Sequence, residues 1–121
     1  MDIAIERLQD VAVIELPYEE IDASNAADFK RELATAIDTE RRLIFDLHRL
    51  RFVDSSGLGA FLSCLRKVNE HGGELKLCGL STSVRAVFEL VRMHRVFDIH
   101  PTRDAALAAF TPAAAAPGAP A

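Results

Sequence analysis

Two adjacent hydroxyls in the run Asp54-Ser55-Ser56-Gly57 offer the plainest chemistry in this sequence. The run lies between a short apolar stretch, residues 42–47, and a stretch in which Leu58, Phe61, Leu62, Leu65 and Val68 recur at intervals of three and four. That spacing is helical, so the serines stand where a helix begins. A serine there can cap the helix by accepting a hydrogen bond from a free backbone amide. It can also take a phosphoryl group, which would meet unpaired amides and the positive end of the helix dipole while Asp54 repels it. The residues themselves leave two assignments open: Ser55 caps and Ser56 carries the phosphate, or the reverse.

Other chemistry finds little support. His48, His71, His94 and His100 are scattered, with no metal-ligand spacing and no triad order. Ser55-Ser56-Gly57 could cradle a phosphate but lacks the lysine and longer glycine-rich loop of a P-loop, so neither catalysis nor nucleotide binding is expected. Cys64 and Cys78 also lack metal spacing and read as small buried or half-buried thiols. No cofactor is implied.

A formal net charge of −4 argues against nucleic acid, whose phosphates require a basic face. Basic clusters do occur at Arg41-Arg42, at Arg49 with Arg51, and at Arg92-His94-Arg95. Each reads first as solvated surface, although a cluster beside a protein-binding face could steer an acidic partner. Charges interrupt the apolar runs well before bilayer length, and Met1-Asp2-Ile3 has no basic start, so a cytoplasmic location is expected.

The 121 residues suit one domain. Alternation over residues 3–8 and 11–16 about Gln9-Asp10 predicts a hairpin, ended by Pro17. Asp22 and Ser24 are candidate N-caps for a helix over 25–37 that packs through Phe29, Leu33 and Ile37. Residues 42–47 read as a buried central strand. The next helix, from the serines, stops at His71-Gly72-Gly73. A strand over 74–79 follows, then a helix capped by Ser81 or Ser83 and carrying Val84, Val87, Phe88 and Val91. A strand over 96–99 and a helix over 103–110 capped by Thr102 complete the pattern. Strands alternating with helices after a hairpin predict an α/β fold. Its small mixed sheet would have four to five strands, with about four helices mainly on one face. The Ala/Pro-rich residues 111–121 carry no packing pattern and are expected to be a disordered tail to a domain over 1–110.

The run Phe52-Val53-Asp54-Ser55-Ser56-Gly57-Leu58-Gly59, preceded by a strand ending in Asp46-Leu47, resembles the signature of STAS domains, in particular the stand-alone anti-sigma factor antagonists. The resemblance extends over residues 3 to about 110, element order included. It implies that the serine before the glycine, here Ser56 (alternatively Ser55), is phosphorylated by a partner that is both anti-sigma factor and serine kinase. The unphosphorylated form would bind the kinase and free the sigma factor; a metal-dependent serine phosphatase would restore it. Asp22, in Ile21-Asp22-Ala23-Ser24, matches the family's aspartate at the start of the first helix, near the phosphorylation site. The implied partner surface comprises Asp22, Ser24, Asp54, Ser55, Ser56, Gly57 and Gly59, on a protein that is not a catalyst; because the predicted helices use their apolar stripes internally, a monomer is expected when free.

One segment departs from the family pattern. Pro17-Tyr18-Glu19-Glu20 replaces the glycine and acidic residue many members carry there, either reshaping one edge of the interface or standing as a tolerated loop variant. STAS domains also serve as transporter tails, as scaffolds of stress-sensing assemblies and as subunits of lipid-transport complexes. The retained Asp54-Ser55-Ser56-Gly57 favours the phosphorylation switch over the lipid-transport alternative.

Overall fold

A computed structural model describes residues 3–110, so the expectation for residues 111–121 lies outside the described residues. Apolar residues on alternating positions build a five-stranded sheet from β1 (Ala4–Leu8), β2 (Val11–Glu15), β4 (Arg42–Asp46), β6 (Glu74–Cys78) and β7 (Asp98–His100), in the order β1-β2-β4-β6-β7. The β1/β2 hairpin is antiparallel and the remaining neighbours are parallel, as helical crossovers require. A separate parallel pair joins β3 (Glu20–Ile21) to β5 (Phe52–Val53).

The period of two sorts side chains between the two faces of the sheet. Ile14, Leu16, Leu43, Phe45, Leu47, Leu75 and Leu77 face α1 (Ala26–Thr39), α2 (Ser55–Glu70) and α3 (Thr82–Leu90) in the main core. Val11, Val13, Ile44 and Cys78 meet Ala106 and Phe110, where α4 (Arg103–Ala109) covers the opposite face. Lys76 is buried on that second face. It pairs with Asp98 and places its Nζ 4.6 Å from the Phe110 ring centre.

An aromatic chain ties the three main-face helices together. Tyr18 meets Phe29 of α1 at 5.7 Å, Phe29 meets Phe61 of α2 at 5.2 Å, and Phe61 meets Phe88 of α3 at 5.8 Å. Phe97 closes the far end against Phe88 at 5.9 Å. That burial is why residues 96–97 do not form the strand expected of them. The chain makes a 3-10 turn at Met93–Arg95, turns Phe97 inward, and pairs as a strand from Asp98 onward.

Caps also differ in detail. Asn25, not Asp22 or Ser24, is the N-cap of α1; its amide side chain bridges the Asp22 N–H and the Glu20 carbonyl instead of bonding the helix. Ser81 rather than Ser83 caps α3, accepting from the Val84 N–H, and Thr102 caps α4 as expected. Gly72, at φ 74°, ends α2.

Asp46, at the end of β4, is 7% exposed yet charged. Its Oδ1 lies 3.1 Å from the donating His48 N–H and 3.0 Å from His48 Nδ1, and its Oδ2 accepts from Arg103 at 3.2 Å. Burial opposes the charge, but the hydrogen bonds from His48 and Arg103 outweigh it and hold the carboxyl below the usual aspartate range. A folded-state pKa below the unfolded value stabilises the fold above the unfolded pKa, about 3.9, and that stabilisation is lost as pH falls towards the folded value. Urea unfolding is expected to show Asp46→Asn costing about 1–3 kcal/mol at neutral pH and a shallower loss of stability on acidification than wild type. Identical pH profiles for the two proteins would show that Asp46 contributes nothing to acid sensitivity.

Candidate functional site

The short β3/β5 ladder assembles the site. Glu20 pairs with Phe52 and Ile21 with Val53, so one further register step sets Asp22 beside Asp54. The Asp54 N–H donates to the Ile21 carbonyl at 3.3 Å, and Asp54 Oδ2 accepts from the Ala23 N–H at 3.3 Å. Asp54 Oδ1 accepts from the Gly57 N–H at 3.0 Å. Asp54 is therefore the N-cap of α2 and also the clasp between the two loops.

This settles the capping question differently from either assignment the residues left open. Neither serine caps the helix; Ser55 and Ser56 are its first two residues, and both are exposed. Neither hydroxyl makes a hydrogen bond among the described residues. First-turn amides have no intrahelical acceptor, so the positive end of α2 lies directly beneath these hydroxyls.

The two glycines differ in kind. A Cβ on Gly57 would lie 2.3 Å from the Ile21 carbonyl oxygen and 2.6 Å from Val53 Cγ2, so only glycine lets α2 start this close to β3. Gly59 is exposed, and a Cβ there would meet nothing within 4 Å. It lies four residues after Ser55 and three after Ser56, on the same helix face. The fold does not require it, and it leaves the α2 backbone open beside the serines.

Asp22 and Ser24 complete the surface. Asp22 Oδ1 accepts from the Ser24 hydroxyl at 2.6 Å and from the Ser24 N–H at 2.9 Å, and these bonds hold its carboxyl below the usual range. The structure thus brings Asp22, Ser24, Asp54, Ser55, Ser56, Gly57 and Gly59 to one end of the sheet. Sequence reasoning missed Phe52, which is 52% exposed next to this cluster. Its signal was the alternation with buried Val53, too short at two residues to be read as a strand.

Tyr18 is buried and not presented at the surface. It is 6% exposed, packs on Phe29 and donates its hydroxyl to Glu32; burial first, then that carboxylate, push its pKa up. The neighbouring Glu19 carbonyl accepts from the Arg51 N–H at 2.7 Å and the Phe52 N–H at 3.2 Å, anchoring β5. The departing loop is a structural variant at Tyr18 and a support for the site at Glu19.

No group of side chains among the described residues could hold a metal ion. His48 and His71 sit beside Asp46 and Asp38, each at 3.0 Å. Cys64 and Cys78 are buried, which pushes their thiols up to about 12 and about 11, outside the reactive range at neutral pH. Among the described residues, no helix is long and apolar enough to cross a membrane.

A capped helix start with open serines, clasped to a two-residue ladder beside a mixed five-stranded sheet, is a STAS arrangement, and the chain belongs to the STAS domain family, whose model matches residues 2–106. Within that family it belongs with the anti-sigma factor antagonists. It is 38% identical over 91 residues, 74% of this chain and 78% of the relative, to BtrV of Bordetella bronchiseptica, which carries the name of an anti-sigma factor antagonist. Its fold is similar to that of an anti-sigma factor antagonist from Thermotoga maritima, with a TM-score of 0.80 at 22% identity over 88% of this chain and 92% of that one. It is also similar to the Bacillus cell fate determinant SpoIIAA in its phosphorylated form, with a TM-score of 0.63 at 25% identity over 88% of this chain and 97% of that one. Its relatives are regulatory binding proteins, and the chain is one too, not an enzyme.

The two glycines give opposite expectations in thermal unfolding. Gly57→Ala should lower stability by about 1–3 kcal/mol, because the new methyl displaces the Ile21 backbone or Val53. Gly59→Ala should raise it by about 0.5–1 kcal/mol, through helix propensity alone. Equal shifts of one sign would contradict the distinction between a packed and an open glycine.

Proposed function

We propose that this protein is an anti-sigma factor antagonist whose partner binding is switched off by phosphorylation of Ser56. In its unphosphorylated form it binds, in the cytoplasm, an anti-sigma factor that is also a serine kinase, and so releases that kinase's target. The phosphorylated form lets go, and a metal-dependent serine phosphatase restores it. The observation that carries this reading is the unengaged, exposed hydroxyl of Ser56 in the first turn of a helix that Asp54 already caps. The hydroxyl is free to be modified because the fold makes no use of it. Ser55 is equally open, and the choice of Ser56 rests on the motif, in which the modified serine directly precedes the glycine.

The switch follows from charge. A phosphoserine brings about −1.5 to −2 charges at neutral pH, one turn from the Asp54 carboxylate and at the same end of the fold as Asp22. The helix dipole and the open amides tolerate that charge in water, so the free protein keeps its fold. A partner pressed against the serines must instead desolvate it. A penalty of about 3–4 kcal/mol suffices to weaken a complex several-hundredfold.

The test is incubation with ATP and the serine kinases of the same cell, followed by phosphosite mapping and binding measurements. One phosphoryl group should map to Ser56; Ser55→Ala should still be labelled. Ser56→Ala should escape labelling but keep binding the kinase, and Ser56→Asp should bind poorly. Labelling of Ser56→Ala at the wild-type rate, or equal kinase affinity for the Ala and Asp variants, would contradict the switch.

A further inference from the structure

We infer that the groove between α2 and the 93–96 turn is a second contact surface for the same partner and that it takes an acidic amphipathic helix. This deepens the proposed function and rests on it.

Three of the large apolar side chains that stand exposed fall within residues 90–96: Leu90 at 82%, Val91 at 49% and Val96 at 54%. Val96 lines a groove with Leu62, Leu65, Arg66 and Asn69 of α2. Positions 62, 65, 66 and 69 share one helix face, so apolar and polar groups meet there by design of the α2 sequence and not by chance of a loop.

Arg66 lines the groove, and Arg92 and Arg95 lie in the segment that carries Val96. Arg66, Arg92 and Arg95 make no ion pair among the described residues, in contrast to Arg7, Arg42 and Arg103, which are paired to carboxylates. Arg92 holds φ at 63°, a left-handed conformation that glycine adopts at lower cost. A floor of leucine and valine with the unpaired Arg66 in its lining, and Arg92 and Arg95 in the adjoining turn, complements a helix bearing apolar residues on one side and carboxylates beside them.

Continuity along α2 favours a protein partner over a lipid surface. Leu62 and Leu65 are half-buried along a shallow, open groove on α2. Ser55, Gly59, Leu62, Arg66 and Asn69 follow each other at steps of four, three, four and three along α2, the seam along which a second helix packs. From Ser55 to Asn69 the seam spans about 21 Å at 1.5 Å per residue. A partner seated over the serines therefore reaches the groove without leaving α2, and Gly59 removes the side chain that would block the path.

The test uses the full chain and the serine kinase that modifies Ser56. Arg92→Glu/Arg95→Glu and, separately, Arg66→Glu should each weaken kinase binding at least tenfold with an unchanged melting temperature, and raised salt should weaken wild-type binding more than variant binding. Because Arg66 lies within α2, its variant remains informative if the turn variant folds poorly. Variants that bind like wild type overturn the groove and leave the proposed function standing; a wild type that binds no kinase overturns both. Retention of the wild type, but not the variants, on phosphatidylglycerol vesicles would assign the surface to a membrane and overturn the inference.

Discussion

The contact of Gly57 with the Ile21 carbonyl is the constraint on which the site depends. At 2.3 Å from a would-be Cβ, it brings the first turn of α2 against β3 more closely than any side chain allows. That closeness lets Asp54 reach both the Gly57 and Ala23 amides, sets Asp22 alongside, and leaves Ser55 and Ser56 facing outward with nothing to do in the fold. Relaxing it would unclasp the two loops and free Asp54 from its cap. The exposure of the serines is thus a consequence of backbone packing beneath them.

The same packing explains how a surface charge can act without rearrangement. The chain of rings from Tyr18 through Phe29, Phe61 and Phe88 to Phe97 fixes α1, α2 and α3 against the sheet, and close-packed cores resist small displacements. A phosphate on Ser56 meets a rigid helix end. On the proposed reading, its effect would be felt by whatever lies against that end, through desolvation and repulsion.

Much of the fold was legible because apolar periodicity is a strong signal in long elements. The hairpin, the buried strand expected over 42–47 and found over Arg42–Asp46, the helix stopped at Gly72 and the mixed sheet all follow from spacing and turn residues. What escaped was short or tertiary. β3 and β5 have two residues each, below the length at which alternation can be seen, and their pairing depends on contacts thirty residues apart. Phe97 was read as strand because its burial is set by Phe61 and Phe88 and not by its neighbours. The site was legible in composition but not in roles: Ser55 and Ser56 were good caps by type, and Asp54, one residue earlier, was the cap in fact because it could also reach Ala23. Whether Tyr18 reshaped an interface edge or was a tolerated loop variant was left open because its partners, Phe29 and Glu32, lie a loop and a helix away.

The most direct measurement is calorimetric titration of the cognate kinase with two purified forms of this protein, unmodified and stoichiometrically phosphorylated at Ser56, with the amide spectrum of each recorded free in solution. A charge-operated switch on a rigid helix end requires tight binding by the unmodified form, at least a hundredfold weaker binding by the phosphorylated form, and spectra that differ only around residues 22–24 and 54–59. Equal affinities would contradict the switch itself. Weaker binding accompanied by changes spread through the sheet would contradict the claim that charge acts without refolding.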